Sequence, residues 1–259
     1  MGRPSGPPAG FVAGFYVHRA ARLTLDAYYE VAGIMKIFLV VLLALPIPAE
    51  SLRYTINWPS GLSLGEVTLR SDFTRDPAAE KGAGHWGFEI NIDASFPGFP
   101  VRDHDQSMAT SELCSTQLDK VSLHGARHTE EHVTFDLGNH TAIRESRNGG
   151  GRSEMQVPPC ARDPLAFLAF VRKELAQGRL ALQQSVVFGA IYQLRLTFKG
   201  AESIPIANAM VDVDHLVAAV KGPASDKTFE VFFARDAART PVLAKIPSPL
   251  GTFSVELIR

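Results

Sequence analysis

His128-Thr129-Glu130-Glu131-His132 has the H-x-x-E-H spacing of a zinc metalloprotease. That chemistry needs both imidazoles on one face of a helix, with the glutamate as general base to a zinc-bound water. The flanks argue for a strand instead. Val121 and Leu123 before the motif, and Val133 and Phe135 after it, alternate with polar residues. On a strand the two histidines stand about 13 Å apart, too far for one ion. His124 extends the spacing to every fourth residue, and the same objection holds. Gly125 reads as a hairpin turn, so a solvated hairpin face is expected. Asp103-His104-Asp105 follows a Pro-Gly turn and reads as a wet loop. Asp212-Val213-Asp214-His215 alternates and reads as the polar face of a strand. No P-loop is present. The sequence therefore assigns no catalytic residue, no metal ligand set and no cofactor.

Two cysteines, Cys114 and Cys160, are the remaining reactive side chains. Their meaning depends on compartment. Met35–Ala49 has a secretory shape: Lys36, an apolar run from Ile37 to Leu45, then Pro46, Pro48 and the small Ala49. Cleavage is expected after Ala49, giving a periplasmic or secreted protein. The apolar run is too short for a permanent bilayer span. Residues 1–34, rich in Gly, Pro, Ala and Arg, read as an over-extended start or a disordered extension. In an oxidising compartment two thiols usually pair, so a structural Cys114–Cys160 disulfide is expected. No CxxC supports a redox or metal role.

The chain has 259 residues, with 26 Lys and Arg against 27 Asp and Glu. That balance offers no basic excess for a nucleic-acid backbone. Two cysteines are too few for a cysteine-rich zinc module or a disulfide-dense scaffold.

The elements that must position any site are long amphipathic strands. Trp86, Phe88, Ile90, Ile92, Ala94 and Phe96 alternate with polar residues. Tyr192, Leu194, Leu196 and Phe198 do the same, as do Tyr54, Ile56 and Trp58. Period two with one polar face means antiparallel strands with one buried side. Residues 164–177 read as one helix, capped by Asp163, started by Pro164 and ended by Gly178. The expected fold is mainly β: residues 50–259 as one strongly curved antiparallel sheet, a half-barrel or open barrel, with the helix across its concave face. One short helix is a small cover for so long a sheet face. Left-over space would be an apolar cavity, with Trp58, Trp86, Phe88, Leu168, Tyr192 and Phe198 as its candidate ligand-binding residues. Loops and side chains filling that space is the alternative.

Leu52-Arg53-Tyr54-Thr55-Ile56-Asn57-Trp58, Leu64-Gly65-Glu66-Val67, Phe135-Asp136, Asp163-Pro164-Leu165-Ala166-Phe167-Leu168 and Phe229-Glu230-Val231-Phe232-Phe233 follow one another in order. In that order they resemble the bacterial domain-of-unknown-function family 3108, over roughly residues 52–259. A Trp often stands near Phe232 in that family, and the cysteine pair is not part of its general pattern. The resemblance implies an exported envelope protein, similar to the LolA/LolB-like half-barrels that shelter acyl chains. It brings no catalytic residues to transfer. The leading expectation is a non-catalytic protein that handles a lipid, lipoprotein or other amphiphile and is not an integral membrane protein after processing. An envelope hydrolase, perhaps metal-dependent, and a scaffold of a cell-surface assembly stand as alternatives.

Overall fold

In the computed structural model, residues 49–76, 84–96, 98–223, 226–249 and 251–258 are described. Residues 1–34, and the segment up to Pro48 that was expected to direct export, lie outside them. The described residues form fourteen strands: β1 (Glu50–Asn57), β2 (Ser63–Arg75), β3 (Gly84–Phe96), β4 (Phe99–Thr110), β5 (Ser115–His124), β6 (Arg127–Asp136), β7 (Thr141–Ser146), β8 (Arg152–Gln156), β9 (Gln183–Val187), β10 (Ile191–Ile206), β11 (Ala209–Lys221), β12 (Asp226–Ala234), β13 (Pro241–Ser248) and β14 (Gly251–Ile258). The helix, α1, spans Pro164–Ala176 between β8 and β9.

All fourteen strands form one antiparallel sheet, in the order β8 to β1, then β14 down to β9. Every neighbour is therefore also a neighbour in sequence except β1 and β14, which pair in the middle, Tyr54 opposite Leu257 and Ile56 opposite Val255. The chain runs from the centre to one edge, crosses by way of α1 to the other edge, and returns to the centre. The sheet does not close; β8 and β9 are its free edges. The turn between β9 and β10 nevertheless reaches the far wall, because Val187 packs with Leu118, Val133 and Phe135 of β5 and β6. The result is an open, barrel-like shell with α1 inside it.

Two of the four buried clusters among the described residues pack on α1. Tyr54, Ile56, Val67, Leu69 and Phe88 of β1–β3 pack with Leu165 and Ala166 on one side of α1. Leu194, Leu196, Leu216 and Phe233 of β10–β12 pack with Phe167, Val171 and Leu175 on the other. Burying each such side chain contributes about 1.5–3 kcal/mol. Among the described residues no helix is long and apolar enough to cross a membrane.

Candidate functional site

Two sides of α1 pack on the sheet. Toward β1–β3, Leu165 and Ala166 meet Tyr54, Ile56, Val67, Leu69 and Phe88. Toward β9–β12 a cavity of about 440 Å³ is left. Cross-strand register explains its walls. Val186 faces Tyr192, Leu194 faces Val220, Leu196 faces Ala218, Ala218 faces Phe229 and Leu216 faces Val231. These pairs share the concave face and line the cavity, with Pro164, Phe167, Leu168 and Val171 as its roof and Phe188 and Phe233 completing it. Tyr192 brings the one polar side-chain atom in that lining. The volume falls within the roughly 300–1,000 Å³ range of small-molecule sites.

Of the six residues expected to bind ligand, Leu168 and Tyr192 line this cavity. The other four lie elsewhere. Phe88 is buried in the β1–β3 cluster, and Trp86 packs against it, its ring 5.8 Å from Phe88 and 5.0 Å from Phe73. Trp58 meets Phe253 edge-on at 5.0 Å. Phe198 follows Leu196 in the strand pattern but is half-exposed, just before the register shift between Phe198 and Gly200. It falls outside the cluster packed under α1.

The roof is fixed at its first turn. Asp163 is fully buried. Its Oδ1 accepts from the backbone N–H of Leu165 and Ala166 at 2.8 and 3.1 Å. Its Oδ2 accepts from the hydroxyls of Ser107 on β4 and Ser115 on β5 at 2.5 and 2.6 Å. Its own N–H donates to Ser115 Oγ at 2.8 Å. Burial pushes the carboxyl up, and these donors pull it the other way. Further along, Arg172 grips Glu50 of β1 with two hydrogen bonds of 2.6 and 2.8 Å. Cys114 and Cys160 are bonded, with Cα atoms 4.5 Å apart, and tie the β4–β5 turn to the segment before α1.

Beside the cavity the inner face changes character. Asp105 of β4 stands opposite Lys120 of β5, and Lys120 stands opposite Glu131 of β6. Lys120 Nζ is 3.3 Å from Glu131 Oε2, and Arg144 of β7 donates to the same carboxylate. The Arg144 guanidinium, with Lys120 adding to it, holds Glu131 below the usual carboxylate range. Asp103-His104-Asp105 is thus strand, not loop. Asp105 points inward, where a charged row replaces the expected water. A second correction concerns Asp214: its strand is as expected, but the carboxylate is buried and accepts from Arg239 Nη1 at 2.7 Å.

The H-x-x-E-H motif lies on β6, with its histidines on separate local partners. His132 Nδ1 is 2.7 Å from Asp119 Oδ1, and His128 Nε2 is 3.4 Å from Glu130 Oε1. His124 Nε2 is 2.9 Å from Asp103 Oδ1. Among the described residues no group of three or more His, Cys, Asp or Glu side chains is placed to hold a metal ion.

The profile of DUF3108, a protein family of unknown function, matches residues 53–258, which is the helix and all of the sheet but the first three residues of β1. The chain belongs to the DUF3108 family. No curated protein matches the sequence significantly. Among solved structures, a crystal structure of a beta-barrel-like protein of domain of unknown function DUF1849 from Brucella abortus is similar at a TM-score of 0.58 and 6% identity. The likeness covers 83% of this chain and 97% of that one, and shows a shared fold.

Two short glycine patterns of this DUF3108 chain escape a motif reading until their elements are known. Gly61-Leu62-Ser63-Leu64-Gly65 has the G-x-S-x-G spacing of an esterase elbow, which sits between a strand and a helix. Here Ser63 opens β2 and its hydroxyl lies 3.0 Å from Thr55 Oγ1. Gly82-Ala83-Gly84-His85-Trp86-Gly87 has dinucleotide-site spacing, which needs a helix after the strand. Here Gly84–Gly87 begin β3.

Asp105 yields a pH prediction. Burial pushes its pKa up to about 6, with Asp103, Asp163 and Glu131 adding to the rise and Lys120 opposing it. A folded pKa above the unfolded one, near 4, contributes stability below about pH 4 that is lost as pH climbs toward 6. Asp105→Asn lacks that loss. At pH 7 it should be more stable than the parent by on the order of 1 kcal/mol, and the gap should shrink at pH 4. Urea unfolding at both values reads it. A variant less stable at pH 7, with no pH-dependent gap, contradicts the assignment.

Proposed function

We propose that this protein is a non-catalytic envelope protein, exported through residues 35–49, that holds the apolar part of a lipid, lipoprotein or other amphiphile beneath α1. The observation that carries this reading is the cavity. Its walls come from five separate elements, all presenting apolar side chains. Each buried methylene of a ligand would contribute about 0.8 kcal/mol, so six to eight of them would offset much of the cost of association.

Native mass spectrometry of protein purified from the envelope should show a chain beginning at Glu50 with an amphiphile bound. In vitro, a fluorescent fatty acid should bind saturably. Leu168→Arg should weaken that binding at least tenfold, because its stem crosses the cavity while its guanidinium reaches the rim. Leu168→Ala, which enlarges the cavity, should bind as well as the parent or better. Absence of saturable binding by the parent, or equal binding by Leu168→Arg at equal folded fraction, refutes the reading. A scaffold role would then stand in its place.

A further inference from the structure

The charged row on β4–β7 and the apolar cavity meet at one side chain. Phe188, at the tip of the β9–β10 turn, lines the cavity. The same ring carries Lys120 Nζ 3.6 Å from its centroid. Its neighbour Gly189 lies on the rest of the row. A Cβ added there would come within 3.6 Å of Glu131 Oε2 and 3.7 Å of Arg144 Nε. A single aromatic ring therefore separates an acyl-sized space from a half-desolvated ammonium.

The row is also incompletely satisfied by the protein. Lys120 and Glu131 are each 14% exposed and paired. Arg144 Nε and Asp105 Oδ1 are buried without a protein hydrogen-bond partner. Glu131 already takes both cations, and the unmet group placed beside Gly189 is the Arg144 Nε donor. An acceptor group entering there would gain charge-assisted hydrogen bonds in a low-dielectric setting. A cationic head would have only Asp105 Oδ1 to turn to and would stand against Lys120 and Arg144.

We propose that cavity and row form one amphiphile site, in which an acyl chain lies under α1 and its single carboxylate displaces Phe188 to bind Lys120 and Arg144 Nε. This rests on the cavity reading above and names the ligand class: a long-chain monocarboxylate. Phe188 is 38% exposed and sits beside Gly189 at φ +70°. Its π face lies against Lys120, and the ligand exchanges that contact for a stronger one.

The test uses the full chain and a neutral, environment-sensitive naphthylamine dye, displaced by dodecanoate, dodecanol or dodecyltrimethylammonium below their micellar concentrations. The parent should prefer dodecanoate over dodecanol by about tenfold or more, the scale of a hydrogen bond to a charged group. Lys120→Met should bring that ratio near one, and Lys120→Arg should restore it. Phe188→Ala should bind dodecanoate more tightly, since no ring has to move. Dichroism confirms that each variant is folded. Saturable dye binding with no carboxylate preference, or a preference that survives Lys120→Met, overturns the head-group assignment and leaves the cavity reading standing. No saturable dye binding overturns both.

Discussion

Asp163→Ala should cost about 2–4 kcal/mol of stability, while Asp163→Asn should cost less than half as much. The alanine removes four accepted hydrogen bonds at once. Loss of the helix cap alone is worth about 1 kcal/mol. The hydroxyls of Ser107 and Ser115 would stay buried without their acceptor, at about 1 kcal/mol or more each. Relief from burying a carboxylate offsets part of this, because burial has already raised its pKa. Asparagine keeps an acceptor for the helix N–H groups, and its amide can donate to hydroxyls free to rotate. Urea unfolding with an unchanged slope reads both variants. Because Asp163 holds the cavity's roof to β4 and β5, Asp163→Ala should also weaken fatty-acid binding in the folded fraction. A cost below about 1 kcal/mol would show that the other contacts of α1 suffice.

How far this arrangement can be read from sequence depends on the range of the interaction. The helix is legible because its signals are local: Asp163 caps, Pro164 starts, and Gly178 takes a φ of +70° past the end. Strand β3 is legible because its alternation is unbroken. Strand β10 is legible only as far as Phe198. It continues to Ile206 through Gly200, whose φ of +144° absorbs a register shift and interrupts the pattern. Asp105 misleads for a different reason. A carboxylate in a run of polar residues looks wet, and only Lys120, opposite it on the next strand, offsets the cost of its inward position. The cavity's existence follows from too little helix for too much sheet. Its place does not, because it depends on which side Leu165, Ala166 and Phe167 happen to fill. Phe188 carries no local signal at all; its role arises where an edge strand folds back across the shell.

Replacing Cys114 and Cys160 together by Ser should lower stability by about 2–5 kcal/mol and leave ligand affinity unchanged at equal folded fraction. The bonded residues are separated by 46 positions. In the chain-entropy account, a loop of that size removes about 4 kcal/mol of unfolded-state freedom. The native state has less need of the bridge. Ser115 N–H donates to Ala161 O at 2.9 Å, and Asp163 is bonded to Ser115 twice. The same two segments are thus held within a residue or three of the disulfide. The two devices therefore act on different states: the bridge on the unfolded chain, Asp163 on the folded one. Their costs should add to within about 0.5 kcal/mol in a double-mutant cycle despite their proximity. A coupling above about 1 kcal/mol would show that the bridge holds the native roof in place, and ligand affinity should then fall in the serine variant as well.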